Sequence, residues 1–193
     1  MSIRVIAGTF KRRMLKTPRG LATRPTGARV REALFSILGD LEGLDVLDLY
    51  AGSGALGIEA LSRGAAHATF VENDRHALAC IRDNIALLGI EASTSVIDSP
   101  VERARASRDV SARRYDLLFC DPPWATVGKA LSNIEALRPL LHDDARVVIE
   151  HPAKQELTIP GFIRSDERAW GDTGMSIFVL ESTHSTDRSA DSE

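Results

Sequence analysis

Residues 44–57 constrain this chain more than any other stretch. Leu44, Val46, Leu47 and Leu49 form a short apolar run, interrupted by Asp48. It ends in a turn containing Gly52 and Gly54 and passes into the helical pattern Leu56, Ala60, Leu61. The reading is strand, tight turn, helix. Gly52, Gly54 and Gly57 let the backbone turn sharply, approach a ligand closely and pack helix on strand, while the N–H groups at a helix start favour an anionic group. A small, partly anionic ligand is expected there.

The glycine spacing satisfies the dinucleotide pattern, and Glu72 follows Gly52 by twenty residues, where a ribose-binding acid is expected. An NAD-dependent oxidoreductase is therefore one reading. Asp48 favours another, because a carboxylate at the end of the first strand repels a pyrophosphate and suits an ammonium group. S-adenosylmethionine has that ammonium, a carboxylate for the turn and a ribose for Glu72. The arrangement resembles motif I of the class I methyltransferases, with Glu72 in the motif II position.

The rest of the chain alternates strand and helix patterns. Strands are expected at 67–72, 93–97, 115–120 and 146–150, with helices between them; Asn73-Asp74 caps one that Gly89 ends. Two further strand-like runs, 162–168 and 175–181, are joined by residues 169–174 and suit an antiparallel hairpin. The prediction is an α/β, Rossmann-like fold with a mostly parallel seven-stranded sheet ending in that hairpin, as in the class I methyltransferases. Ligands of such sheets bind beyond the carboxyl ends of the strands, where Asp48, Glu72, Asp98 and Asp121 all fall.

Charge divides the chain. Residues 1–31 hold nine basic side chains and no acid, and the remainder is strongly acidic. An arm this basic reads as a contact surface for nucleic acid. Its candidates are Arg4, Lys11, Arg12, Arg13, Lys16, Arg19, Arg24 and Arg29. Within it, residues 3–10 predict a short strand lying against the body. Thr26 is the expected N-cap of a helix with Val30, Ala33, Leu34, Ile37 and Leu38 on its apolar stripe and Arg29, Arg31 and Glu32 opposite. The divisions expected are a basic N-terminal arm at 1–26, a methyltransferase domain at 27–181 and a disordered tail at 182–193.

Asp121-Pro122-Pro123-Trp124 selects the reaction. Two prolines after a buried strand fix the backbone, so that the Asp121 carboxylate and the Pro122 carbonyl both point into the cleft as acceptors. An amino group with two hydrogens needs such a pair, and Trp124 gives a base a face to stack on. The tetrapeptide resembles motif IV of the amino-methyltransferases. Cys120 precedes it on the strand and is expected to point away, which argues against a cysteine nucleophile.

Arg24-Pro25-Thr26, Arg29-Val30-Arg31-Glu32 and Leu34-Phe35, followed by 48–57 and 121–124, resemble the bacterial D-type 16S ribosomal RNA guanine-N2 methyltransferases over residues 3–181. The resemblance implies S-adenosylmethionine as donor and S-adenosylhomocysteine as product. The substrate it implies is one guanine, nucleotide 966 in the usual rRNA count, in 16S rRNA or the assembling 30S subunit. It implies catalytic roles for Asp121, Pro122, Pro123 and Trp124. For the donor, it implies Asp48 on the methionine ammonium, Gly52 and Gly54 on its carboxylate, Glu72 on the ribose and Asp98 on the adenine amine, with Ala51 in the same turn. Arg24, Thr26 and Arg29 either close over the donor or touch phosphate. Trp124 stands where Phe is more usual in that family.

A DNA or RNA adenine-N6 methyltransferase shares both motifs, and a non-catalytic RNA-binding assembly factor is a further alternative. Two cysteines make no disulfide framework, the five histidines show no metal-ligand spacing, and no apolar run approaches a membrane span. A cytoplasmic monomer without a metal is expected.

Overall fold

The computed structural model describes residues 2–18 and 27–181. In chain order, β1 (Ser2–Arg4) and β2 (Met14–Lys16) precede α1 (Ala28–Leu38), β3 (Asp45–Leu49), α2 (Ala55–Ser62), β4 (His67–Glu72) and α3 (Arg75–Leu88). Then come β5 (Thr94–Asp98), the short helices α4 (Val101–Ala104) and α5 (Arg108–Ser111), β6 (Tyr115–Cys120), α6 (Val127–Leu137), β7 (Leu141–Pro152), β8 (Phe162–Trp170) and β9 (Thr173–Leu180).

The seven-stranded sheet runs β5-β4-β3-β6-β7-β9-β8. The five strands β5 to β7 in that order are parallel, and β9 is antiparallel to both β7 and β8. The chain leaves β3 toward β4 on one side and later returns to β6 on the other. That reversal opens a crevice at the carboxyl ends of β3 and β6, where ligands of such sheets bind. The sheet is apolar on both faces. Val46, Phe70, Phe119 and Val148 face α1, α2 and α3, and Leu47, Val71, Leu118 and Val147 face α6 and the short helices. Strand alternation produces both sets, and coverage on two sides explains the near-continuous apolar runs.

The Rossmann-like seven-stranded sheet with its terminal hairpin is the fold expected from the sequence. The strands at 67–72 and 115–120 have the expected bounds, and the Asp74 carboxylate caps α3 by accepting the His76 and Ala77 N–H groups. Gly89 ends that helix at φ 69°.

Several local expectations need correction. The strand expected over 3–10 is confined to β1, and it pairs with β2, which the polar sequence around Met14 concealed. Helix α1 has Gly27 rather than Thr26 at its N-cap, and Thr26 itself lies outside the described residues, as do Arg19, Arg24 and the tail from 182. The buried stripe of α1 is Arg31, Leu34, Phe35 and Leu38, whereas Ile37 is exposed. Arg31, expected on the outer face, is inside, where its guanidinium lies near the buried Glu59 carboxylate and donates to the Arg4 carbonyl. The β8–β9 connection is a two-residue turn, Gly171 and Asp172, and not a six-residue loop. Gly171 at φ 63° supplies the left-handed first position that such hairpins demand.

Candidate functional site

The carboxyl ends of β4, β3, β6 and β7 carry Glu72, Asp48, Asp121 and Glu150. Each lies two residues beyond an apolar side chain of the same core face, Phe70, Val46, Phe119 or Val148. Alternation therefore puts the four acids along one edge of one face. Glu150 was not singled out in the sequence, because a lone acid ending an apolar strand carries no motif.

Asp48 is buried, and its carboxylate accepts the Gly57 N–H at 3.0 Å. Burial pushes its pKa well above the usual carboxylate range; the Gly57 hydrogen bond opposes the shift, while the negative charges of Asp121 and Glu72 add to it. A site that confines acids in this way favours a cationic ligand.

Glu72 is built into the glycine turn. One of its oxygens accepts the Gly52 N–H at 2.9 Å, and the other accepts the N–H groups of Asn73 and Asp74 at 2.8 and 2.9 Å. Three of roughly four lone-pair positions are thereby used, leaving one for a hydroxyl. Within the turn, Gly54 at φ 76° donates to the Ala51 carbonyl at 2.7 Å, and the Ala51 N–H donates to Val71 at 3.2 Å. The Gly52 and Gly54 N–H groups are thus engaged inside the protein. A Cβ added at Gly52 would meet nothing closer than the Tyr50 carbonyl at 4.0 Å, so open space lies before it.

Beside the turn is a cleft of about 210 Å³ whose lining includes Tyr50, Glu72, Ser99, Glu102, Pro123 and Lys129. Sites for a whole drug-sized ligand usually exceed roughly 300 Å³, so this cleft suits part of a ligand whose remainder runs along the glycine turn. Asp98 pairs in register with Glu72 and is exposed, and its neighbour Ser99 lines the cleft. Lys129 and Glu102 form an ion pair in that lining, and the Lys129 contact lowers the Glu102 pKa.

Tyr50 also escaped the sequence reading. It holds φ 57°, a left-handed conformation that costs a bulky residue on the order of 1–3 kcal/mol. In return its ring forms a wall between the glycine turn and α6, where its hydroxyl accepts from Asn133 Nδ2 at 3.4 Å. The only available signal was negative: an aromatic between Leu49 and the glycines reads as ordinary core.

Residues 121–124 leave β6 directly. Pro122 is buried, Pro123 is exposed, and the Pro123 carbonyl accepts both the N–H and the hydroxyl of Thr126, at 2.7 and 2.8 Å, closing a tight turn. Trp124 at the head of that turn is 44 % exposed, so a substantial part of its indole stays open to solvent. Cys120 lies in the opposite core face, and burial pushes its thiol pKa well up, which disfavours a thiolate nucleophile. Among the described residues, no group of His, Cys, Asp and Glu is arranged to hold a metal ion.

The described basic residues of the arm, Arg4, Lys11, Arg12, Arg13 and Lys16, are all exposed, as is Arg29. They are not equivalent. Arg13 donates to the Leu87 carbonyl at 2.8 Å, and Lys16 pairs with Asp83 at 2.8 Å. Arg4, Lys11, Arg12 and Arg29 make no ion pair among the described residues and present their charge outward. Arg31 is withdrawn from this surface; its guanidinium donates to the Arg4 carbonyl at 3.1 Å and lies 3.8 Å from the Glu59 carboxylate.

Residues 3–179 match the family described as Conserved hypothetical protein 95. The chain is 36 % identical over 180 residues to the Bacillus subtilis protein YlbH, covering 91 % of this chain and 98 % of that one. It is 36 % identical over 162 residues to Ribosomal RNA small subunit methyltransferase D of Escherichia coli K12, covering 82 % of this chain and 79 % of that one. The solved structure of yhhF from Escherichia coli superposes with a TM-score of 0.82 at 33 % identity, over 94 % of this chain and 99 % of that one. On this fold and these matches, the chain belongs to the Conserved hypothetical protein 95 family, the family of the D-type small-subunit ribosomal RNA methyltransferases.

Proposed function

We propose that this protein transfers a methyl group from S-adenosylmethionine to the exocyclic N2 of one guanine in 16S rRNA, nucleotide 966, on the assembling 30S subunit. The observation that carries the reading is the adjacency of two halves of a reaction centre. The donor-type turn after β3 and the Asp121 to Trp124 turn after β6 leave neighbouring strands, and Asp48 feels the charge of Asp121. Family membership with a small-subunit rRNA methyltransferase supports the RNA substrate.

The residues present fit the donor. Its adenosine half suits the 210 Å³ cleft, with Ser99 and Asp98 toward the adenine and the one remaining acceptor position of Glu72 on a ribose hydroxyl. Asp48 faces the ammonium. Gly52 and Gly54 contribute shape rather than hydrogen bonds, because their N–H groups are already engaged. When bound, S-adenosylmethionine supplies an electrophilic methyl group on a sulfonium.

The chain's own side chains do the rest. The exocyclic nitrogen of guanine is a weak nucleophile because its lone pair is delocalised into the ring. The Asp121 carboxylate and the Pro122 carbonyl accept its two hydrogens and hold them so that the lone pair localises toward the donor. Trp124 stacks on the base, and Asp121 takes the released proton. Orientation of this kind supplies a large part of the rate. A base buried in folded rRNA is first flipped out. Arg4, Lys11, Arg12 and Arg29 neutralise phosphates around it.

The test is tritium transfer from labelled S-adenosylmethionine to 16S rRNA, offered as naked RNA and as 30S particles from cells lacking the enzyme, followed by nucleoside analysis. The expected product is N2-methylguanosine, made faster on the particle. Label in N6-methyladenine would overturn the base assignment, and absence of transfer with intact donor binding would overturn the catalytic reading.

A further inference from the structure

The N-terminal hairpin is built into the donor turn through one buried amide. Asn84, on α3 and fully buried, accepts the Lys16 N–H on Oδ1 at 2.8 Å. Its Nδ2 donates to the Lys16 carbonyl at 3.0 Å and to the Ser53 carbonyl at 3.0 Å. Lys16 belongs to β2 of the hairpin, and Ser53 lies between Gly52 and Gly54. A single side chain thus satisfies two elements that are 37 residues apart in sequence, one carrying the exposed arm and the other shaping the donor site.

A second clamp holds the far end of the hairpin without touching the turn. Glu59, fully buried on α2, accepts the Ile6 and Ala7 N–H groups at 2.8 and 3.0 Å and the Arg63 Nε at 2.9 Å. Ser62 Oγ accepts the Phe10 N–H at 2.9 Å and donates to the Ala7 carbonyl. Gly8, at φ 77°, passes so close that a Cβ there would fall onto the Ser62 carbonyl. The hairpin is therefore a fixed part of the body and not a loose arm.

We propose that Asn84 is a positioning residue that couples the RNA-contacting hairpin to the donor turn, so that occupancy of the donor site raises affinity for rRNA and the reverse. The inference rests on the donor and RNA assignments proposed above. Its physical basis is shared restraint. A ligand that orders the turn fixes the Ser53 carbonyl, and through the same amide it fixes both backbone groups of Lys16. Coupling between binding sites is reciprocal and typically spans about 5- to 150-fold.

The experiment compares wild type, Asn84→Ala and Ser62→Ala. Amide hydrogen exchange is read at Lys16 with and without S-adenosylhomocysteine, and binding to naked 16S rRNA is measured under the same two conditions. In wild type, S-adenosylhomocysteine slows exchange at Lys16 and tightens rRNA binding by about fivefold or more. Asn84→Ala abolishes both effects. Ser62→Ala weakens rRNA binding but keeps the ratio, because its clamp does not reach the turn. In turnover, Asn84→Ala raises the KM for rRNA at least tenfold while kcat at saturating rRNA stays within about threefold.

A wild-type protein that binds S-adenosylhomocysteine and methylates rRNA, yet shows no change at Lys16, would overturn the coupling alone. So would an Asn84→Ala variant with the wild-type ratio. If Asn84→Ala does not fold, the wild-type exchange at Lys16 still decides. Failure of wild type to bind S-adenosylhomocysteine at all would overturn the donor assignment and the coupling together.

Discussion

Asp48 and Gly57 are joined by a 3.0 Å hydrogen bond that ties the end of β3 to the first turn of α2. The acceptor is a carboxylate held away from water beside two other acids, so its pKa is raised, chiefly by burial. A raised carboxylate pKa means that the folded protein holds the proton more tightly than the unfolded chain. The associated stability is present below the unfolded value and is lost as pH rises through the folded one. In the absence of ligand, wild type is expected to lose thermal stability across that window, and Asp48→Asn is expected to flatten the profile while keeping the Gly57 contact. Donor affinity should run the opposite way, rising with pH in wild type as Asp48 ionises and falling about tenfold or more in Asp48→Asn. Melting curves and donor titrations over the same pH range check both; a donor affinity unaffected by the substitution would remove Asp48 from the ammonium site.

Asp121→Ala should lower kcat by roughly 10²–10⁴, the range that general acid–base and orienting groups contribute. Donor affinity should change by no more than a few-fold. Trp124→Ala should instead raise the KM for rRNA, since one base–aromatic stack is worth about 1–3 kcal/mol, and Trp124→Phe should recover most of it. Because Trp124 is 44 % exposed, neither substitution should shift the melting temperature appreciably. Steady-state kinetics at saturating donor separates the two residues.

The outward-facing cations of the hairpin predict a salt effect. Replacing Lys11 and Arg12 together by alanine should reduce the slope of log affinity for RNA against log salt by about 1–2, as expected for one phosphate contact each. The same change at Lys16 should move the slope less, because its ammonium is already paired with Asp83. Filter binding at several salt concentrations reads the difference.

Gly57→Ala tests the packing of helix on strand. A Cβ at this position would collide with the Phe70 ring and come within 3.2 Å of the Asp48 carboxylate, and Phe70 is fully buried with no room to retreat. Overpacking of this kind costs about 1–3 kcal/mol, so a melting temperature lower by several degrees is expected. An unchanged melting temperature would mean that α2 can shift off the sheet.

Much of the fold was legible because its signals are local. The apolar runs at β4 and β6, the Asp74 cap and the Gly89 stop each depend on a few neighbouring residues, and the structure keeps them with little change. A polar residue that is buried beside a distant partner leaves no such local signal. Arg31 looked like an outer-face cation on a helical wheel, yet it is 3 % exposed beside a carboxylate 28 residues away in sequence. Asn84 interrupted the apolar stripe of α3 and signalled nothing, because both its partners lie outside the helix. Tyr50 and Glu150 likewise join the candidate site only when the strand ends are brought side by side.

By itself, the sequence determined the strand–turn–helix at 44–57, the alternation that makes a parallel sheet, and the proline-fixed turn at 121–124. Periodicity, glycine and proline act over a few residues, so their consequences survive without knowledge of the rest of the chain. Tertiary structure alone decided the order of the strands and the gathering of Glu72, Asp48, Asp121 and Glu150 on one edge. It also decided which cations of the arm face outward, and that the hairpin and the glycine turn share one amide. Those outcomes depend on hydrogen bonds and ion pairs between residues tens of positions apart, and no local pattern encodes which buried polar group will meet which partner.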